Sequence, residues 1–506
     1  MIERPDHRLW AFCAVVKLLI LAIAGSQYGY LSDELYFLDA AAHLDLGYVD
    51  FPPAIAWVMA ALTGLFGSSL IVLRTFACLV GIAVTLLAVD VTRLLGGGRT
   101  AQWLTAFVVL FAPAFLSIQS ILTMNVLDQL WWVLGFWLLI RYLQQRQPIH
   151  MLWLGMVFGL SILTKLAAPA WFLALAVSAL IYARWTLSRR EVWYAVVLLF
   201  LVTSPFLYWQ ISHDWLFLEF IGAYNEEAAE AMVIDQPIFG LITTMNPPFL
   251  LIWLPGLVYG LLAADRTLRL LGTAAVLCLV VFLGAGVKFY FATPLFVLFT
   301  ATGALLWERW LANRQRLRSV LLLSMLVSGV FSVPIAAPVL PPSVLQQAAD
   351  FIRDGEQGAP GTGPAPLGRY FPHFAEMHGW PELVDAVTTH YQAIAEPERS
   401  AVGILAAHFG QAGALNQLDT AQPLPTAHSG HMNYTLWAAG QPFDDVIAVG
   451  FGLPLLQGLY RDVEVLQTFT CARCMARENG LLIVRCRDRA VDSDEIRRQI
   501  KRFYFF

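Results

Sequence analysis

Apolar stretches of about 20 residues recur between residues 9 and 340 of this 506-residue chain and then stop. A stretch of that length, folded as a helix, spans the hydrocarbon core of a bilayer. We count about eleven, at 9–26, 70–92, 101–117, 121–140, 151–166, 167–186, 192–212, 238–262, 268–286, 289–307 and 319–339. Charged residues make up only 13% of the chain, against about 25% in soluble proteins. The sequence therefore predicts a polytopic α-helical membrane protein.

The basic residues between these stretches predict an orientation, because arginine and lysine accumulate on the cytoplasmic side of membranes. With the N-terminus inside, fifteen arginines fall on the cytoplasmic side, and only Lys165 and Lys288 lie on the opposite face before residue 341. An odd number of spans then places everything after Pro341 outside. We therefore expect a multi-pass protein of the cell inner (plasma) membrane with an uncleaved first span and an extracytoplasmic (periplasmic) tail. The net charge of −4, without a long basic run, argues against nucleic acid as a partner.

The composition changes near Pro341 and predicts three regions. Residues 1–340 form the membrane domain, 341–368 a Gly/Pro-rich linker, and 369–506 a small extracytoplasmic α/β domain. In the last region, a helix-like pattern at 380–394 accompanies short β-rich runs at 401–406, 446–451 and 481–486.

Three of the six cysteines, Cys471, Cys474 and Cys486, lie in this outer domain. An extracytoplasmic compartment permits disulfides, so we expect a structural disulfide whose pairing stays open, with a zinc site as the alternative. His428 and His431 could bind a metal, although solvation in a loop is the simpler expectation.

Adjacent carboxylates follow the first span at Asp33 and Glu34, in a loop with five acids and no base. At the edge of the membrane a carboxylate can stay ionised and act as a general base. The alternative is a helix N-cap at Ser32 or Asp33. Asp128, at the outer end of the fourth span, has the same two interpretations, as a functional carboxylate or as a cap or interhelical hydrogen bond.

Lys165 and Lys288 lie on the face otherwise empty of cations, and Arg74 lies at the outer start of the second span. A specific anion such as a lipid phosphate would explain them. The alternative is that these side chains extend to the lipid headgroups.

Taken in order, these motifs resemble those of a known family. They are Ser32-Asp33-Glu34, Asp50-Phe-Pro52-Pro53, Arg74, Asn125 with Asp128, Thr164-Lys165, Asn246-Pro247-Pro248 and Gly286-x-Lys288-x-Tyr290-x3-Pro294. The set resembles the bacterial GT-C glycosyltransferases related to the protein O-mannosyltransferases and to the lipid A aminoarabinose transferase, which are similar to glycosyltransferase family 39. In the tail, Gly410-Gln-Ala-Gly413-Ala-Leu and Ser429-Gly-His431-Met-Asn433-Tyr resemble the C-terminal domain of some bacterial members.

The resemblance implies an inverting transfer of one sugar from a polyprenyl-phosphate carrier, expected to be undecaprenyl phosphate, to an envelope acceptor on the outer side. The acceptor would be a glycolipid, a polysaccharide or a protein. By the same resemblance Asp33 is the candidate base, Glu34 its support and Asp128 the next candidate. Lys288, with Arg74 or Lys165, and Tyr290 are the candidates for the donor phosphate. No cofactor is assigned, and whether a divalent metal assists stays open.

Phe51 departs from the pattern of several relatives, which carry a basic residue before the paired prolines. Because this contact is lost or replaced, the motif does not identify the sugar.

Two other classes of protein remain as alternatives. A secondary transporter of a lipid or anionic solute would also place acids and lysines in a helical bundle, although the charges here lie in outer loops and no internal repeat is evident. A membrane-anchored binding protein would use the outer domain and would not need those loops. In the enzyme, we expect the tail to modulate acceptor access and to carry no part of the base or phosphate site.

Overall fold

The structure, a computed structural model, describes residues 6–25, 27–231, 236–357, 364–418, 422–438 and 443–504. Up to residue 336 its α-helices are α1 His7–Ala24, α2 Ser32–Ala42, α3 Ala54–Phe66, α4 Leu70–Leu94, α5 Arg99–Phe111, α6 Pro113–Ile118, α7 Met124–Gln145, α8 Pro148–Thr164, α9 Ala168–Tyr182, α10 Arg190–Ser212, α11 Leu216–Ala231, α12 Gln236–Thr244, α13 Leu250–Leu262, α14 Arg266–Gly284, α15 Leu295–Leu311 and α16 Gln315–Ala336. Short 3₁₀ turns lie at Arg184–Ser188, Pro247–Phe249 and Phe289–Ala292.

Each predicted apolar stretch contains a helix, but the count of eleven membrane spans is not confirmed. Among the described residues six helices are long and apolar enough to cross a bilayer, namely α1, α4, α7, α10, α14 and α16. A seventh span is added if the pair Ile238–Thr244 and Pro247–Leu262, bent by 96°, counts as one. The other stretches hold shorter helices, because breaks such as that at Pro113 interrupt them.

The segment between the first two predicted spans, 27–69, contains two helices, α2 and the apolar α3. Elsewhere in the bundle, glycines allow close crossings, as expected for membrane helices. A Cβ on Gly256 would collide with the Phe299 carbonyl of α15, and one on Gly303 would collide with the Ile252 carbonyl of α13.

The tail forms the predicted mixed α/β domain. Its elements are α17 Pro342–Gln357, α18 Leu367–Tyr370, α19 Pro372–Ala375, α20 Trp380–Gln392, β1 Gly403–Ala406, α21 Phe409–Gln417, β2 Ala427–Ser429, α22 Tyr434–Trp437, β3 Val446–Val449, α23 Leu453–Leu459, β4 Tyr460–Phe469, β5 Leu481–Arg489 and α24 Ser493–Ile500, with 3₁₀ turns at Glu398–Ala401 and Ala476–Glu478. The five strands lie in the order β2-β1-β3-β5-β4. The β1 strand is parallel to β2 and β3, whereas β5 is antiparallel to β3 and β4.

The region predicted as a linker, 341–368, is largely helical where it is described. Helix α17 occupies Pro342–Gln357 and buries Leu345 and Ala349. The glycine- and proline-rich residues 358–363 lie outside the described residues.

The C-terminal α/β domain, called the outer domain below, packs directly on α2. Helix α21 packs against α2 so closely that a Cβ on Gly413 would lie 3.0 Å from the backbone carbon of Leu35. Asn433 accepts a hydrogen bond from the Val49 amide at 2.8 Å, and Tyr434 donates one to Asp39. These contacts fix the outer domain against the segment that carries Asp33.

Candidate active site

A cavity of about 1320 Å³ lies between the membrane helices and the outer domain. Its lining includes aspartate, glutamate, lysine and arginine side chains, here called the charged wall: Asp33, Asp50, Lys165, Lys288, Glu376 and Arg477. Its apolar wall includes Phe217, Phe220, Val281, Phe282 and Phe289. The cavity therefore combines a charged region with an apolar surface suited to a hydrocarbon chain.

Asp33 lies at the second position of α2, and its carboxylate faces the cavity. The helix begins at Ser32 with Leu31 as the extended N-cap residue, so the alternative of an N-cap at Ser32 or Asp33 is wrong. Glu34 does the capping instead: it accepts hydrogen bonds from the amides of Leu31, at 3.0 Å, and Leu122, at 3.1 Å.

Among the residues that the structure describes, none donates a hydrogen bond to the Asp33 carboxylate. The pKa of this carboxyl is raised to about 7, mainly by burial and next by the nearby Glu376 carboxylate, although Lys288 and Arg477 oppose the rise. A carboxyl with a pKa near 7 that faces a cavity is suited to accept a proton at neutral pH.

Asp50 is a second acid of the charged wall, and its carboxylate already accepts hydrogen bonds within the protein. Its Oδ1 accepts hydrogen bonds from the Tyr36 hydroxyl, at 2.7 Å, and from Asn433 Nδ2, at 2.8 Å. Burial raises the pKa of the Asp50 carboxyl to about 7 as well. Because its hydrogen bonds hold the outer domain, Asp50 connects the two parts of the protein.

Two lysines approach the cavity from different elements. Lys165, directly after α8, donates to Asn125 Oδ1 at 2.7 Å, and its Nζ lies 3.4 Å from the centroid of the Phe291 ring and 4.8 Å from that of Tyr290. Lys288 precedes the 3₁₀ turn at 289–292, is exposed, and has its Nζ 5.8 Å from the centroid of the Tyr224 ring. Tyr290 also lines the cavity. This region can therefore hold an anion.

Four of the seven predicted site residues, Asp33, Lys165, Lys288 and Tyr290, thus line one cavity. The other three, Glu34, Arg74 and Asp128, are buried behind its wall.

Arg74 is not among the residues that line the cavity, so its assignment to the donor phosphate stays a prediction without support from this geometry. Its guanidinium donates to the carbonyls of Gly29, at 2.7 Å, and Tyr28, at 3.3 Å, and stabilises the turn between α1 and α2. Asp128 accepts a hydrogen bond from Trp132 Nε1 at 2.8 Å and attracts Lys165 electrostatically. Both side chains support the wall from inside the bundle.

The outer domain also lines this cavity and so lies beside the candidate base, although the expectation that the tail carries no part of the base or phosphate site stays a prediction. Glu376 and Arg477 form an ion pair at 2.9 Å, and His373 and His408 line the same cavity. No local sequence pattern marks Glu376 or Arg477, because their pairing depends on the fold of the tail. The Cys-x-x-Cys motif just before Arg477 is the nearest signal.

The cysteines and histidines do not form the expected sites. All six cysteines have free thiols, and Cys486 lies on β5 in a cluster separate from Cys471 and Cys474. His431 is fully buried, where it accepts a hydrogen bond from the Phe409 amide, so the expectation of a solvated loop is wrong for it. Within the described residues, no group of three or more His, Cys, Asp or Glu could hold a metal ion.

Sequence comparison finds glycosyltransferases. The family model described as dolichyl-phosphate-mannose-protein mannosyltransferase matches residues 50–209. The lipid A galacturonosyltransferase RgtD of Rhizobium johnstonii is 29% identical over 192 residues, which are 37% of this chain and 39% of that protein. The match therefore spans well under half of the length of this curated relative.

Comparison of folds agrees over nearly the whole chain. ArnT from Cupriavidus metallidurans is similar in its apo state, with a TM-score of 0.57 at 16% identity over 95% of this chain and 97% of that one. Its structure bound to undecaprenyl phosphate gives 0.59 at 16% identity, over 95% and 98% of the two chains. The arabinofuranosyltransferase AftD from Mycobacteria gives 0.53 at 16% identity, over 97% of this chain and 42% of that one. The fold is that of GT-C proteins, and the predicted resemblance to GT-C glycosyltransferases is confirmed.

Proposed function

We propose that this GT-C-fold protein transfers one sugar from a polyprenyl-phosphate donor, with undecaprenyl phosphate as the carrier, to a glycolipid, polysaccharide or protein of the cell envelope. The observation that carries the proposal is the placement of Asp33, free of hydrogen bonds from the described residues, in one cavity with Lys288. The lipid A galacturonosyltransferase, the arabinofuranosyltransferase AftD and the mannosyltransferase family model all have names that state glycosyl transfer, which favours this activity over a transporter.

The proposed chemistry is a single displacement with inversion. Asp33 accepts the proton of the acceptor hydroxyl as its oxygen attacks the anomeric carbon, and the bond from that carbon to the phosphate oxygen breaks. The leaving phosphate gains negative charge, which Lys288 and Lys165 stabilise from the cavity wall. Tyr290, beside Lys165, can donate a hydrogen bond to the same group.

The apolar part of the cavity suits the polyprenyl chain. Val281 and Phe282 on α14 and Ile335 on α16 belong to this wall, and Val281 and Ile335 are exposed. Both helices are long and apolar enough to cross a bilayer, so a lipid chain can lie along them while its phosphate reaches the lysines.

We place this reaction on the extracytoplasmic side of the inner membrane, because the fifteen arginines and two lysines separate as the positive-inside rule requires. Fusion of a reporter that fluoresces only in the cytoplasm to Phe506 should give a dark cell. A fluorescent cell would show that the C-terminus lies in the cytoplasm and that the proposed orientation is wrong.

The substrates can be identified by mass spectrometry of envelope lipids and glycans from cells with and without the protein. A mass difference of one hexose, pentose or hexuronate would identify both sugar and acceptor. Transfer is then assayed with the purified protein in vesicles that contain the polyprenyl-phosphate sugar.

Asp33→Asn should lower the transfer rate by about 10²–10⁴-fold while donor binding is kept, because an amide cannot accept the proton. Asp50→Asn is the matched control and should lose far less, since its amide oxygen still accepts from Tyr36. Transfer by Asp33→Asn within a few-fold of wild type would refute the role of Asp33.

A further inference from the structure

Glu376 joins the outer domain to the start of α2 through its carboxylate. Glu376 Oε1 accepts a hydrogen bond from Ser32 Oγ at 2.5 Å, next to Asp33 in the chain, and one from Arg477 Nη2 at 2.9 Å. The Glu376 and Arg477 side chains are 25% and 28% exposed, so the pair is partly shielded from water. A charge in such a place acts strongly on its neighbours.

Arg477 is held from its other side as well. Its Nε lies 3.3 Å from Glu478 Oε1, and the Glu478 side chain, 5% exposed, also accepts a hydrogen bond from Gln411 Nε2 at 3.0 Å. Gln411 belongs to α21, the helix that packs on α2. The ion pair is therefore fixed to the body of the outer domain.

The groups that face Asp33 come from several elements. They are Glu34 on α2, Asp50 in the following loop, Lys288 and Tyr290 before α15, and Glu376 and Arg477 in the outer domain, with His373 beside Glu376. Of these, Glu376 accepts a hydrogen bond from the side chain of Ser32, the residue directly before Asp33.

We propose that Glu376, paired with Arg477, is a positioning residue for the candidate base: the outer domain orients the start of α2 through Ser32 and sets the electrostatic field at the Asp33 carboxylate. This inference rests on the proposed function, because it gives the outer domain a direct part in the transfer step. The direction of its effect agrees with the pKa of Asp33, which Glu376 raises and Arg477 lowers.

Charge variants with opposite expected effects test the proposal. Glu376→Gln keeps an acceptor oxygen for Ser32 but removes the negative charge, so the acidic limb of the kcat/KM profile should move to lower pH by roughly half a unit to one unit. Arg477→Met leaves Glu376 without its counter-charge, so the limb should move to higher pH by a similar amount. Arg477→Lys keeps the charge and should leave the limb in place.

Ser32→Ala separates orientation from charge. It removes the hydrogen bond without changing any charge, so kcat should fall while the acidic limb stays where it is in wild type. Melting temperatures in detergent identify variants that simply fail to fold. If Glu376→Gln and Arg477→Met fold and both keep the wild-type limb, the proposal is refuted.

An infrared titration gives a readout that does not require sugar transfer. The C=O stretch of the protonated Asp33 carboxyl, assigned by its loss in Asp33→Asn, should disappear at lower pH in Glu376→Gln and at higher pH in Arg477→Met. These shifts without transfer in wild type would refute the proposed function but not the electrostatic effect. Transfer in wild type without the shifts would refute the inference alone.

Discussion

Two adjacent carboxylates at the start of α2 have opposite environments. Glu34 is fully buried and accepts two backbone hydrogen bonds, whereas Asp33 faces the cavity and accepts none from the described residues. The helix makes this difference, because neighbouring positions point about 100° apart around its axis. Glu34 can therefore stabilise the start of the helix while Asp33 stays available to accept a proton.

Because the pKa of Asp33 is raised to about 7 in the folded protein and is about 3.9 in unfolded chains, folding favours its protonated form. This contribution to stability is present below about pH 4 and is lost as the pH rises through about 7. Asp33→Asn should therefore match wild type near pH 4 but melt about 2–4 °C higher near pH 8. Thermal unfolding in detergent at both pH values measures this, and a lower melting temperature of the variant at pH 8 would contradict it.

Lys288→Met should weaken donor use and raise the pH at which transfer reaches half its maximum. The first effect follows from the loss of a charge-assisted contact to phosphate, which corresponds to about a 10-fold or greater increase in KM. The second follows because Lys288 opposes the rise of the Asp33 pKa. Steady-state kinetics across pH measure both, and Lys288→Arg should retain most of the wild-type behaviour.

How far such residues can be predicted from the sequence depends on where they lie. Asp33 follows the first apolar stretch at the start of α2, and Lys288 lies in the connection after α14, so both charges stand out from their apolar surroundings in the sequence. Arg74 sits within a helix, and its sequence neighbours do not reveal whether it faces the cavity or the backbone of α1. Glu376 and Arg477 meet only after the tail has folded, so periodicity cannot detect them. The GT-C fold was predicted through the ordered motifs, whereas short helices such as α5 and α8 left the number of spans unconfirmed.

At the scale of an element, the sharp bend between Ile238–Thr244 and Pro247–Leu262 depends on Asn246. This residue has a φ of +62°, a backbone conformation that few residues other than glycine and asparagine adopt. Its Nδ2 donates to Ser332 Oγ at 2.8 Å, and its Oδ1 accepts from Ser328 Oγ at 3.0 Å. The bend is thereby tied to α16, and Thr243 and Thr244 before it line the cavity.

Asn246→Ala should destabilise the protein by about 1–3 kcal/mol, because it removes the hydrogen bonds that join the bend to Ser328 and Ser332. Asn246→Gly loses the same hydrogen bonds but tolerates the positive φ, so it should be less destabilised by about 1 kcal/mol. Thermal unfolding of the two variants separates side-chain bonding from backbone strain. Equal melting temperatures would show that the backbone conformation contributes nothing.

At the scale of the whole molecule, the outer domain closes one side of the cavity and packs on the helix that carries Asp33. Gly413 lies close to α2, since a Cβ there would lie 3.0 Å from Leu35. By contrast, a Cβ on Gly458 of α23 would meet nothing within 4 Å. The two glycines therefore provide a matched test of docking.

Gly413→Leu should push the outer domain away from α2 and lower transfer by about 10-fold or more, because a misplaced catalytic group costs much of the rate. Overpacking of this kind also costs about 1–3 kcal/mol of stability. Gly458→Leu should stay within about two-fold of wild type in rate. Similar rates for the two variants would mean that docking does not position Asp33.

The charged wall brings together parts of the chain that are made far apart in time. Ser32 and Glu376 are 344 positions apart, and Arg477 follows Glu376 by another 101. A nascent chain that has left the ribosome only as far as α16 already carries Asp33 and both lysines but not the residues that close the wall. An unfinished or truncated translation product would therefore lack Glu376 and Arg477 and would have an incomplete cavity wall.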